Sequence, residues 1–260
     1  AMRFASVLNF PVADSTAEAI HRKKELLHHI SAERIFTELQ KLLCGIGAEQ
    51  ILTEYADVLF LILPELQPME HFEQHNIHHD YDVYTHTLKA VTACPPEPVL
   101  RWAALLHDSG KPHCFTMDER GGHFYGHAKI SAEITAKVMH RLKSDRKTTE
   151  RVLQLVKRHD TVWNADTAEK QLKRTVSKIG YAATEQLLLL NRADVTAQAA
   201  THRQQRVDEA NRLLTLLEDL QKEYNLTLDF EDFDHENIAM FCDPNYFKNE
   251  SPYTAFIGPY

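Results

Sequence analysis

An all-α fold is predicted for this 260-residue chain, and three features carry the prediction. Apolar residues recur at helical spacing along almost the whole length. No pair of alternating apolar and polar runs reads as two strands. The interruptions between periodic stretches hold capping residues and prolines, which punctuate helices. A hydrophobic fraction of 43% beside 25% charged residues matches a soluble globular protein with a sizeable core.

Asp14 or Ser15 is placed to cap a helix running to about His29. Ser31 is placed to cap the next, whose Ile35, Leu39, Leu42 and Leu43 share one face before Cys44-Gly45 ends it. Two or three short helices then reach Pro64. The polar stretch from Met69 to Tyr81 is rich in histidine and reads as a loop entering a helix from about Asp80 to Ala93. Pro95-Pro96 breaks the chain, and Pro98 suits the first turn of a helix that ends in His107-Asp108. Residues 115–126, with Gly121-Gly122, read as a loop or small hairpin. Helices are expected over about Ala128–Leu142, Lys147–His159 and Ala168–Gly180, then one long helical region from Ala182 to about Tyr224 carrying Asp194. The chain divides into a helical neck or platform (1–68), a helical bundle (69–225) and an acidic, aromatic, proline-punctuated C-terminal extension (226–260). That extension reads as a tail packed on the body or as partly disordered.

Several function classes fall away early. No apolar run approaches the roughly eighteen residues of a membrane span, and no signal peptide is evident, so a cytoplasmic protein with no membrane partner is expected. The cysteines Cys44, Cys94, Cys114 and Cys242 lie far apart, which suggests neither a disulfide framework nor a thiolate zinc site. There is no G-x-S-x-G elbow, no P-loop and no G-x-G-x-x-G fingerprint. The net charge of −8 argues against an indiscriminate nucleic-acid binder, but it is unevenly spread. Arg141 to Lys178 has eleven basic and five acidic residues, a net of +6; Glu218 to Glu250 has two basic and ten acidic, a net of −8. The basic segment suits either a phosphate-bearing substrate or a solvated helix face.

The chemistry concentrates at His107-Asp108-Ser109-Gly110-Lys111, where an imidazole, a carboxylate, a glycine turn and a cation follow an apolar run. Nine of the sixteen histidines fall between His71 and His127, too dense for surface composition alone. His79, Asp82 and His86 stand at i, i+3 and i+7 of one helix, so His86 is a candidate ligand, oriented by Asp82 and accompanied by His79. A set of imidazoles and carboxylates without thiolates favours one or two divalent ions (Mn, Ni, Fe, Co, Mg or Zn) in a catalytic role. Asp108 is placed to bridge two such ions, with His86, His107 and Asp194 completing one site and His127 and His159 the other. Taken singly, His127 also reads as a helix cap and His159 as a residue of an exposed turn. Lys111 is placed to reach a substrate phosphate or to neutralise Asp108, so Asp108 and Lys111 are the catalytic candidates. Lys111, His123 and Arg158 are the candidate substrate contacts. Asp194, in a leucine- and alanine-rich helix, requires a metal or solvent, while Arg101 and Trp102 read as packing residues.

The set His86, His107-Asp108, His127, His159 and Asp194 resembles the HD-domain superfamily of metal-dependent phosphohydrolases. A closer likeness runs from residue 2 to about 200. Met2-Arg3-Phe4-Ala5, Ile30-Ser31-Ala32-Glu33-Arg34-Ile35, Glu38-Leu39-Gln40-Lys41-Leu42-Leu43, Gln74-His75-Asn76 and Gly122-His123-Phe124-Tyr125-Gly126-His127 resemble the neck, body and HD region of bacterial CCA-adding tRNA nucleotidyltransferases. In that family the nucleotidyl transfer belongs to a head with paired acidic residues on a sheet. No strand bearing such a pair is found, so nucleotide addition by this polypeptide alone is not expected. The resemblance implies a hydrolase of phosphomonoesters or 2',3'-cyclic phosphodiesters, with a phosphorylated nucleotide or an RNA 3' end as substrate. The alternative is a tRNA-binding body with no hydrolysis of its own.

Overall fold

A computed structural model describes residues 1–75, 81–119, 121–198, 200 and 203–227. The described residues are all-α apart from one two-stranded hairpin. The expectations for His79, for Cys242 and for the C-terminal extension beyond Thr227 lie outside them.

The first helices build the neck: α1 (Met2–Leu8), α2 (Asp14–Lys23), a 3₁₀ turn (Lys24–His29), α3 (Ala32–Leu43), α4 (Ala48–Glu54) and α5 (Ala56–Ile62). Helix α2 begins at Asp14 with Ala13 as its cap and tightens into the 3₁₀ turn well before His29, so the single helix expected there is two elements. In α3 the buried residues Phe36, Leu39, Leu42 and Leu43 form one stripe, as the i, i+3, i+4 spacing requires.

The bundle follows with α6 (Val83–Ala93), α7 (Pro98–Leu106), the hairpin strands β1 (Thr116–Asp118) and β2 (Gly121–His123), α8 (His127–Arg141), α9 (Arg146–Arg158), α10 (Ala168–Ile179), α11 (Tyr181–Thr196) and α12 (Arg203–Thr227). Helix α7 lies at the centre, packed by α3, α6, α8, α9 and α11. Trp102 of α7 is fully buried and stacks on Phe36 of α3, ring centroids 5.2 Å apart at 9°. Buried Arg101 donates to Leu43 O (3.2 Å), a carbonyl left over at the end of α3, and to Pro95 O (3.1 Å). Tyr84 Oη donates to Leu52 O (2.8 Å). The main apolar core therefore runs unbroken from α1 to α11, and a smaller cluster of Ala168, Leu172, Leu188, Leu213, Leu217 and Leu220 lies beneath α10 and α12.

The long helix expected from Ala182 to Tyr224 is two helices. No glycine or proline marks the break. Backbone groups freed there find side-chain partners instead: the Gln198 carbonyl accepts two bonds from Arg203, and the Ala197 carbonyl accepts one from His86. Among the described residues, no helix is long and apolar enough to cross a membrane.

Candidate metal centre

His107 is the capping residue at the end of α7, and His159 holds the same position after α9. Carbonyls in the last turn of a helix lack intrahelical partners, and each imidazole turns back to satisfy one. His107 Nδ1 donates to Ala104 O (2.7 Å) and His159 Nδ1 to Val156 O (2.7 Å). His127, first in α8, donates through Nδ1 to Phe124 O (2.8 Å), and His86 does so to Ala197 O (3.3 Å). A carbonyl only accepts, so Nδ1 bears the hydrogen in all four rings and each Nε2 is left as the ligand atom.

The four Nε2 atoms converge on Asp108, which is 1% exposed. Its Oδ2 lies 3.5 Å from His86 Nε2 and 3.2 Å from His107 Nε2; its Oδ1 lies 3.5 Å from His127 Nε2 and 3.6 Å from His159 Nε2. Asp194 Oδ1 joins the first set at 2.8 Å from His86 and 3.6 Å from His107. Two groups result, His86–His107–Asp108–Asp194 and Asp108–His127–His159, each with its ligand atoms within 4.8 Å of one another.

This donor set fits divalent cations. Two ligand atoms bound at about 2.1 Å and at right or tetrahedral angles stand about 3.0–3.4 Å apart, close to the spacing here. His107 Nε2 is buried without a hydrogen-bond partner and faces Asp108 Oδ2 at 3.2 Å, an oxygen that Lys111 Nζ also approaches, at 2.7 Å. His127 Nε2 and His159 Nε2 approach to 3.0 Å. Lone pairs facing one another at such distances are held only by a proton or a cation between them.

In the absence of metal the protons remain. Burial pulls the His107 pKa down, but Asp108 and Asp194 beside it outweigh that and push it up to about 10. Burial raises the carboxyls, but His107 and Lys111 hold Asp108, and His107 and His86 hold Asp194, well below the usual carboxylate range. Burial lowers His127, and neighbouring His159 adds to the effect.

The remaining candidates are placed as follows. Lys111 is 6% exposed, its Nζ 2.7 Å from Asp108 Oδ2 and donating to Gln74 Oε1 (2.8 Å). That geometry makes it the counter-charge of Asp108 and takes it off the list of groups facing substrate. Asp82 does not orient His86. It caps α6, accepting from Thr85 N (2.6 Å) and His71 N (2.9 Å), because the first-turn amides of α6 need acceptors. His123 sits on the hairpin, its Nε2 2.9 Å from Asp118 Oδ1 and its ring stacked on Tyr125. Arg158 is half-buried, one residue before His159.

Four supporting residues carried no strong sequence signal. Gln74 is 2% exposed and holds Lys111; only its place beside His75-Asn76 in the family-like stretch pointed to it. Asn191 donates through Nδ2 to the His159 carbonyl and accepts from Trp163 Nε1 (3.0 Å). Ser131 Oγ accepts from Gly110 N (2.9 Å). A Cβ at Gly110 would lie 2.5 Å from His127 O, so only glycine lets the His-Asp turn come this close to α8. Gln198 is 6% exposed and donates to Asp194 Oδ2 (3.2 Å).

A helical bundle that gathers histidines and aspartates from α6, α7, α8, α9 and α11 around one buried carboxylate defines a class of candidate metal-site proteins, and sequence comparison gives the family. The HD domain model matches residues 83–216, more than half of the chain, and the protein belongs to the HD domain family. Residues 9–69 match a second family, described as the probable RNA and SrmB-binding site of polymerase A. Among curated proteins the chain is similar to an A-adding tRNA nucleotidyltransferase of Deinococcus radiodurans, 36% identical in a match that covers 65% of this chain and 42% of that one. It is also similar to a CC-adding tRNA nucleotidyltransferase of Thermus thermophilus, 36% identical over 61% of this chain and 39% of that one. A multifunctional CCA protein of Pseudomonas fluorescens is 30% identical over 59% and 39%. The chain thus spans about two fifths of the length of these relatives.

Proposed function

We propose that the protein is a divalent-metal-dependent phosphohydrolase acting on phosphomonoesters or 2',3'-cyclic phosphodiesters of nucleotides or RNA 3' ends. The observation that supports this most is the division of Asp108, one oxygen toward His86 and His107 and the other toward His127 and His159. His86, His107, Asp108 and Asp194 would hold one cation, and Asp108, His127 and His159 a second. Cations bound there supply Lewis acidity toward a phosphoryl oxygen and lower the pKa of water.

The chain's own groups have separable roles in this reading. The four Nδ1–H···O=C bonds fix ring orientation and tautomer, so each Nε2 is available without a conformational search. Lys111 offsets part of the negative charge on Asp108 and, with Gln74, fixes that side chain. Asp194, with a side chain 22% exposed, marks the open side of the cluster. A substrate phosphate enters from there.

The test is phosphate release by protein stripped of metal and resupplied with Mg, Mn, Co, Ni or Zn. Substrates are p-nitrophenyl phosphate, nucleoside 2'- and 3'-phosphates and 2',3'-cyclic nucleotides, with Asp108→Ala and Asp108→Asn as controls. Metal-dependent turnover lost in both variants, at unchanged helicity, is the expected result. Full activity in a well-folded Asp108 variant would overturn the proposal.

A second reading, a tRNA-binding body without hydrolysis, is favoured by the basic segment Arg141 to Lys178, by the match of the neck to an RNA-binding family and by tRNA-acting relatives. It predicts tight tRNA binding that weakens steeply with salt, survives loss of Asp108, and comes with no hydrolysis under any metal.

A further inference from the structure

The break between α11 and α12 puts two arginines beside the open edge of the metal cluster. Gln198, buried in that break, spans the distance with a single amide: its Nε2 donates to Asp194 Oδ2 (3.2 Å), and its Oε1 accepts from Arg206 Nη1. Its backbone carbonyl takes both Nε (2.9 Å) and Nη2 (2.5 Å) of Arg203. Two guanidiniums thus converge on one residue that touches a cluster carboxylate. Neither has an acidic side chain within ion-pair distance among the described residues, whereas nearby Lys89 is paired with Glu49 at 2.9 Å. Arg203 is half-buried and Arg206 exposed, and both keep N–H donors beyond those given to Gln198.

Two cations held this close on one residue repel, and each is fixed by its own acceptor, Arg203 by the Gln198 carbonyl and Arg206 by its side-chain oxygen. Two guanidiniums with N–H donors to spare, one amide away from the cluster, suit the oxygens of a phosphate. The scissile phosphate sits on the cluster itself, so the arginines lie one group further along the substrate.

We propose that Arg203 and Arg206, held by Gln198, bind a second phosphate next to the one at the metal cluster, so that the preferred substrate is the 3' end of an oligonucleotide and not a mononucleotide. This rests on the phosphohydrolase reading for the location of the first phosphate. It is tested by binding rather than by turnover, so the two can fail separately.

The experiment measures equilibrium binding of three probes in EDTA and again with Ca²⁺: adenosine 3'-monophosphate, the dinucleotide ApA carrying a 3'-phosphate, and ADP. Wild-type protein should hold the dinucleotide about tenfold or more tighter than the mononucleotide, the least that one charge-assisted hydrogen bond contributes. Arg203→Gln/Arg206→Gln should erase that difference and leave adenosine 3'-monophosphate affinity unchanged. Arg203→Lys/Arg206→Lys keeps the charges in case the double glutamine variant fails to fold, and should retain part of the preference. Tightest binding of ADP would overturn the oligonucleotide assignment, because both phosphates then belong to a single nucleotide. Equal affinity of wild-type protein for one- and two-phosphate probes, no binding of either, or a preference that survives both variants would overturn the proposal.

Discussion

At the residue scale, the state of His107 links the cluster to pH. Its pKa is pushed up to about 10 in the folded protein, above the ordinary value of 6.5, so without metal the imidazolium stabilises the fold fully below pH 6.5. That contribution is lost as pH rises through 10. A divalent cation requires the neutral ring and competes with this proton. Metal affinity should therefore rise between pH 7 and about 10, by up to roughly tenfold per unit, with protons released on binding. Calorimetric titration in buffers of different ionisation enthalpy measures the release, and pH-independent affinity would contradict the assignment. Gln74 offers a second test. Replacing it with leucine strips buried Lys111 of its neutral acceptor and should cost about 1–3 kcal/mol, read as a shift of the urea midpoint without a change in slope. The ligand types were legible in the sequence because imidazole and carboxylate clustering needs no fold to be noticed. The partners of Nδ1 were not, since they are backbone carbonyls whose availability depends on where each helix ends.

At the scale of elements, the His-Asp turn and α8 depend on one another through Gly110. A Cβ there would lie 2.5 Å from the His127 carbonyl and 2.7 Å from Ser131 N, both backbone atoms that cannot rotate away. Gly110→Ala must push α8 back, and His127 starts that helix. Overpacking of this kind costs about 1–3 kcal/mol. The sharper expectation is that the second cation proposed at Asp108, His127 and His159 is lost while the first remains, which metal analysis of purified protein reads as a fall in ions bound per chain. Unchanged metal content would show that α8 has slack at this contact. Most helices were legible from periodicity, and α9 begins where Asp145 caps it, one residue ahead of the expected start. The division of α11 from α12 was not, because Thr196-Ala197-Gln198 contains no breaker. The competing forces are tertiary: His86 claims one carbonyl and Arg203 the next. Asp82 differs for the opposite reason: aspartate is a strong cap, but a helix start expected at Asp80 puts it inside the helix, whereas α6 begins at Val83 and claims it as a cap.

At the scale of the whole molecule, the neck and the bundle share one apolar core, with Trp102 on Phe36, Arg101 on the end of α3 and Tyr84 on α4 as the joints. This has a consequence for what metal does to stability. The cluster is built only from α6 to α11, so if the neck were an independent unit, metal would raise the melting temperature of the bundle and leave the neck behind. With a continuous core the two must unfold together, and a ligand that binds only the folded state stabilises both by RT ln(1 + [L]/Kd), about 2.7 kcal/mol at a hundredfold excess over Kd. A single thermal transition, moved upward as a whole by saturating metal, is therefore expected from far-UV circular dichroism, in which the neck helices count, and from tryptophan fluorescence, which reports Trp102 at the joint and Trp163 in the bundle. Trp102→Ala should lower the same transition by about 3–5 kcal/mol, since it empties the largest fully buried side chain from the shared core. Two transitions in wild-type protein, only one of them responding to metal, would mean that the joints at Trp102, Arg101 and Tyr84 do not couple the neck to the site. Near the midpoint of the Trp102→Ala transition, metal should restore the helicity of neck and bundle together, because binding that requires the folded cluster draws the whole coupled chain back with it.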